Sequence, residues 1–195
     1  MIFLKSDIFL SRNFFMIIAK EKRKTNLAEY ILYMWQVEDL IRSFCFDIEK
    51  IGTEYIARFQ VDEATRLEIK NWYGNLLTMM EKERLRDTGH LQMLRNLVND
   101  LNEFHLKLLE TNADPGYSGM FIQVQPLINE FRLKMQQEAG SDVETCLNGL
   151  YSLMMLRLQK KEVNQSTLLS FQSFGKLMGH LSARYLQFEK GDFEF

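Results

Sequence analysis

The stretch NLAEYILYMWQVEDLIRSF, Asn26 to Phe44, decides the fold class. Apolar side chains fall at Leu27, Tyr30, Met34, Val37, Ile41 and Phe44 and continue to Ile48, alternating steps of three and four residues. Only a helix brings that spacing onto one face, so the segment reads as a packing seam. Asn26 stands where a side-chain oxygen can accept a first-turn N–H, which marks the helix start. On a helical wheel Tyr33, Leu40, Phe44, Val37, Tyr30, Ile41, Met34 and Cys45 fill one arc of about 140°. The rest of the circumference holds Glu29, Gln36, Glu38, Asp39, Arg42, Ser43 and Asp47, yet Ile31, Leu32, Trp35 and Phe46 lie among them. Two accounts fit this mixed face. In the first, the helix is central and a second layer of helices covers the mixed face. In the second, the face stays open and offers Trp35, Glu38 and Arg42 to a second copy or a protein partner, tryptophan and arginine being the residue types that dominate interface energetics.

Working outward, the same helical period recurs. IGTEYIARFQ (51–60) reads as a short helix. Asp62 caps a helix from Glu63 to Leu85 with Ile69, Trp72, Leu76, Met79 and Met80 inward. RDTGH (86–90) breaks the chain before a helix from Leu91 to Leu109. ETNADPGYSG (110–119) is dense in turn residues and reads as a loop joining two halves of one bundle. The helix from Met120 to Gln137 contains Pro126, which must kink it or sit in its first turn. Ser141 and Glu144 have capping-box spacing and open a helix carrying Val143, Leu147, Leu150, Met154 and Leu158. The last helix, Ser166 to Phe188, has its seam at Phe171, Phe174, Met178, Leu181, Tyr185 and Phe188, and the tail EKGDFEF reads as loose. No stretch alternates as a strand does, and no repeat is evident. The expectation is an all-α irregular bundle of six to seven helices, with residues 16–195 forming a single domain.

The first fifteen residues, MIFLKSDIFLSRNFF, stand apart. Lys5, Asp7 and Arg12 interrupt every apolar run, so no signal-peptide core exists, and the run is too short to span a bilayer. Residues 1–15 read as an upstream extension with little structure, with translation starting at Met16. A loosely attached amphipathic anchor is the competing reading.

Composition limits the functional classes. A chain of 195 residues can bury a core without metals or disulfides. With 24 basic and 26 acidic residues the formal net charge is −2, which gives no global attraction to nucleic acid or to an acidic membrane. KEKRK (20–24) is the one basic cluster, and it reads as a solvated arm. Cys45 and Cys146 each fall on the apolar side of a helical pattern, without metal-ligand spacing, and read as buried free thiols in a reducing compartment.

No nucleotide-binding glycine motif, nucleophile elbow or Glu-x-x-His pair is present, so no catalytic residue, metal site or cofactor is proposed. His105 is the one polar residue inside a clean apolar face, formed by Leu94, Leu97, Val98, Leu101, Phe104 and Leu108. It is either a core histidine bonded to one acid or carbonyl, or a pocket residue of a helical enzyme or small-ligand-binding bundle. His180 reads as exposed, and His90, after Gly89, as a local cap or a solvent contact. Methionines such as those in LLTMMEK sit at core spacing and need no binding groove to explain them.

At IAKEKRKTNLAEYILYMWQVEDLIRSF (18–44), and more weakly at GHLQ (89–92), the sequence resembles a bacterial family described only as a domain of unknown function. The resemblance extends over most of the chain after residue 16. It implies an all-helical protein that begins near Met16, of bacterial and cytoplasmic origin, and it carries over no activity and no site residues. The functional expectation is therefore a non-enzymatic helical interaction module. It would engage an unknown protein partner or itself, and neither nucleic acid nor membrane. The alternative is the His105 pocket.

Overall fold

In a computed structural model, residues 14–135 and 140–195 are described, and all regular structure among them is helical. The described residues hold eight α-helices: α1 (Phe14–Thr25), α2 (Leu27–Ser43), α3 (Ile48–Lys50), α4 (Glu63–Lys82), α5 (Gln92–Thr111), α6 (Pro115–Met135), α7 (Asp142–Leu158) and α8 (Gln165–Lys190). A π-helical turn, Ile51–Tyr55, and a 3₁₀ turn, Ile56–Arg58, continue α3. The all-α expectation is met, with α1 and the three-residue α3 added to the helices read from the sequence. α1 begins at Phe14, and the rest of the expected extension, residues 1–13, lies outside the described residues.

The helix starts follow local chemistry. Asp62 accepts the Thr65 N–H at 2.8 Å, Ser141 that of Glu144 at 3.1 Å, Asn164 that of Thr167 at 2.8 Å and Asn26 that of Glu29 at 3.2 Å. Each supplies an acceptor to a first-turn amide that has no partner within its helix. The loop read at 110–119 is shorter than expected, because Pro115 begins α6, where its missing N–H costs nothing. Pro126 lies inside α6, so the Ile122 carbonyl loses its usual donor.

Contacts group the chain into two compact units. The first comprises α1 as far as Arg23 together with residues 33–92. Its core is built from Met34, Trp35, Val37 and Ile41 of α2, Ile51 and Ile56, and Ile69, Tyr73, Leu76 and Met80 of α4. Met79, expected inside, is exposed, and Tyr73 takes the inward place beside Trp72. α2 ends on two successive left-handed residues, Cys45 and Phe46, with φ 52° and 62°. Cys45 therefore leaves the helical face on which the wheel put it, and is exposed.

The second unit comprises residues 24–32 and 93–195. α6, α7 and α8 pack on one another, and α5 turns Leu94, Leu97, Val98, Leu101, Phe104, His105 and Leu108 inward, as its period predicts. Gly149 lets α7 approach α8 closely, since a Cβ there would lie 3.0 Å from the Phe174 ring. The tail is docked rather than loose: the Phe195 ring lies 5.2 Å from that of Phe104, with the Lys107 ammonium 4.2 Å above Phe195. Cys146 is buried and, like Cys45, carries a free thiol.

Candidate functional site

Trp35, Glu38 and Arg42 are spaced three and four residues apart, so α2 presents them in one stripe. That stripe does not face water. Trp35 is 3% exposed and Glu38 1%, and Arg42 is half-buried. What covers it is the segment from Glu83 to Leu91, between α4 and α5. These residues are covered, but by a connecting segment and not by the second layer of helices that the first account named.

The three side chains hold that segment at several points. The Glu38 carboxylate accepts the Leu91 N–H at 2.8 Å with one oxygen and meets His90 Nδ1 at 2.6 Å with the other. The Trp35 indole stacks on the His90 imidazole, with centroids 4.3 Å apart and planes 16° from parallel. Arg42 donates from Nε to the Leu85 carbonyl at 3.2 Å and from its terminal nitrogens to the Gly89 carbonyl and to Asp39. Glu83 accepts the Gln92 N–H at 2.7 Å. Two carboxylates thus sit on the first amides of α5, where unsatisfied donors and the helix dipole favour negative charge. Gly89 takes φ 90°, a conformation that side chains other than glycine rarely adopt.

The arrangement fixes one proton. A carboxylate can only accept, so Nδ1 of His90 carries the proton of this bond. The His90 side chain is 31% exposed. Ring plane and proton are held from behind by Trp35 and Glu38, and the imidazole edge reaches solvent.

His105 belongs to the second unit and is sealed, at 1% exposure. Its Nδ1 lies 2.6 Å from the Tyr117 hydroxyl, and its Nε2 lies 3.7 Å from Asp142, an ion-pair distance longer than a hydrogen bond. Burial, with nearby negative charge, pushes the Tyr117 hydroxyl above its ordinary range, so it remains an O–H within hydrogen-bond distance of Nδ1. The His105 imidazole lowers the Asp142 carboxyl below its usual value; partial burial opposes this, and Arg132, 2.8 Å away, adds to it. Arg132 also donates to Thr145 and to the Gly140 carbonyl. His105 thus meets a tyrosine hydroxyl at hydrogen-bond distance and an acid, Asp142, at ion-pair distance, where the sequence suggested one acid or carbonyl.

A third cluster escaped the sequence reading. Asp114 precedes α6, accepts the Tyr117 N–H at 3.0 Å, and places one oxygen 2.7 Å from His180 Nε2 and 2.6 Å from Arg184 Nε. Burial pushes this carboxyl up, but the bonds from His180, the Tyr117 amide and Arg184 outweigh it and hold the group well below the usual carboxylate range. His180 is accordingly half-buried rather than exposed. Asp114 and His180 are 66 positions apart, and Glu38 and His90 are 52 apart; no local spacing signals either pair.

Among the described residues no group of three or more His, Cys, Asp or Glu side chains could hold a metal ion, and no helix is long and apolar enough to cross a membrane. A family model described as "Domain of unknown function (DUF4924)" matches residues 16–192. No curated protein and no solved structure matches the chain.

Proposed function

The chain belongs to the DUF4924 family, whose description carries no activity, and from that premise we propose that it is a non-enzymatic interaction module presenting residues 84–90 to a protein partner. The observation that carries this reading is the tethering of that loop. Surface loops ordinarily move, and their ordering on binding opposes affinity. Here Leu85, Gly89, His90 and Leu91 are each held by Glu38, Arg42 or Trp35, so the tip, Arg86 to Thr88, is exposed on a backbone already fixed from beneath. In this reading Trp35, Glu38 and Arg42 serve binding by positioning, and the exposed side chains around them make the contacts.

The competing reading, a helical enzyme or small-ligand bundle with His105 in its pocket, draws less support, because the imidazole is sealed and bonded to Tyr117. Two free cysteines favour a reducing compartment, and we place the protein in the cytoplasm on that ground. One family model spans both compact units, which favours residues 16–195 acting as one domain.

The test is quantitative affinity capture with the tagged full chain, followed by mass spectrometry, beside a variant carrying Arg84→Ala, Asp87→Ala and Thr88→Ala. These residues are exposed, so the melting temperature should stay within about a degree or two of the parent, surface changes being worth under about 0.5 kcal/mol. Partners captured by the parent should be lost. Equal capture by both proteins, or self-association unaffected by the changes, removes the loop from the function.

A further inference from the structure

α5 and the end of α8 form an aromatic cradle that the chain itself fills. Phe104 and Lys107 of α5, with Arg184 and Phe188 of α8, meet two rings of the segment Asp192–Phe195. The Phe195 ring lies 5.2 Å from Phe104 and 5.4 Å from Phe188, and the Phe193 ring 6.1 Å from Phe104. The Lys107 ammonium stands 4.2 Å over the Phe195 ring, and the Arg184 guanidinium 5.5 Å over that of Phe193. Ring edges meet ring faces, and the faces attract the cations.

Three observations bear on what the cradle takes. The first is how the segment is held. α8 closes on Gly191, φ 78°, whose amide bonds the Phe188 carbonyl at 3.0 Å, and the Asp192 amide bonds that of Gln187 at 2.9 Å. From Phe193 to Phe195 no hydrogen bond joins the segment to other described residues. The segment therefore lifts away without leaving a backbone group of the cradle unpaired. The second is coverage. Phe104, at the base, is 5% exposed, yet Phe188 remains 43% exposed and Phe195 36%. A longer segment would cover ring surface that this one leaves to water. The third is rigidity. Phe104 projects from the middle of a regular helix, and Arg184 is pinned by Asp114 at 2.6 Å and by Gln187 at 2.9 Å. The cradle needs little ordering to receive a ligand.

We propose that this cradle docks an extended Phe–acid–Phe segment of a partner protein, and that Asp192–Phe195 is its resident competitor. The chain's own segment displays the chemistry. In an extended chain residues i and i+2 project to one side, so the spacing of Phe193 and Phe195 suits two rings to one cradle. Glu194 between them puts negative charge beside Lys107 and Arg184, where a basic residue would meet like charge. The resident is tethered and competes at high effective concentration, so a free segment binds the intact chain weakly until the resident rings are removed. The cradle shares no residue with the 84–90 loop. The proposal rests on the interaction-module reading only in naming a protein as the occupant, and loss of loop-dependent capture would leave it standing.

The experiment is fluorescence anisotropy with a labelled peptide of sequence KGDFEF, that of residues 190–195, on the full chain and on a variant carrying Phe193→Ser and Phe195→Ser. The variant should bind saturably, one peptide per chain, at least about tenfold more tightly than the parent. A peptide with serine for both phenylalanines should not bind. Lys107→Glu, an exposed position, added to the variant should weaken binding about tenfold, by removing a cation and setting like charge beside the acids. Should the double variant not fold, the parent decides: in a ¹⁵N spectrum, excess peptide should move the amides of residues 191–195 and of Lys107 together. No saturable binding by a folded variant, equal affinity for parent and variant, indifference to Lys107→Glu, or unmoved amides in the parent overturns the proposal. Self-association of the parent that the two serine substitutions abolish also overturns it, since the occupant would then be a second copy.

Discussion

The Glu38 carboxylate, 1% exposed, lies 2.6 Å from Nδ1 of His90, a residue 52 positions away on the far side of α4 in sequence. A buried carboxylate without partners would be costly, whereas with the imidazole and the Leu91 amide as donors it anchors a loop and the start of a helix together.

Glu38→Gln keeps the shape but cannot accept from both donors as strongly. The expected loss is about 1–3 kcal/mol, the cost of leaving a buried donor poorly satisfied. For a chain of this size that is a fall of about 2–4 °C per kcal/mol in a thermal melt. His90→Gln should cost less, because half of the Glu38 bonding remains. An unchanged melt for Glu38→Gln would show that the pair does not anchor the loop.

Trp35→Ala empties a large interior site and removes the surface on which His90 stacks. The expected cost is about 3–5 kcal/mol, in the range for core aromatic truncations. Measured by urea unfolding, a cost below about 1 kcal/mol would mean that the indole is not packed as described. Combined with Glu38→Gln, the two costs should not add, since both act through one imidazole.

Acid stability should depend on Asp114. Its carboxyl is held well below the ordinary range in the folded protein, so the unfolded chain binds the proton more readily. That difference stabilises the fold above about pH 4, the ordinary aspartate range, and is lost as pH falls further toward the depressed folded value. Asp142, lowered in the same direction, adds to the same limb. Asp114→Asn should lower stability at pH 7 and flatten its decline below pH 4. A parallel decline in parent and variant would show that Asp114 is not the group that titrates.

His105→Leu leaves the Tyr117 hydroxyl buried without its partner, and should cost about 1–3 kcal/mol. Adding Tyr117→Phe removes the stranded hydroxyl and should restore part of the loss. In the parent protein diethylpyrocarbonate should modify His90 and His180, whose side chains are 31% and 28% exposed, and spare His105 until unfolding. Rapid modification of His105 would place it on the surface.

The sequence by itself determined the helical class, most helix starts and the inward face of α5. Those are local matters: a period of three and four residues, or an Asp, Ser or Asn one step before a first turn, acts over a single helical turn wherever the chain lies. It also put Trp35, Glu38 and Arg42 on one stripe of α2, since stripe membership follows from spacing alone. The tertiary structure decided what that stripe meets. Whether a mixed helical face is covered or open depends on a segment some fifty residues further along, and loop closure over that distance leaves no periodic trace. The same reason hid Asp114 beside His180 and Arg184. Cys45 shows the reverse limit: it and Phe46 both take positive φ just past the end of α2, without a glycine to announce the turn, and Cys45 so leaves a core position for the surface.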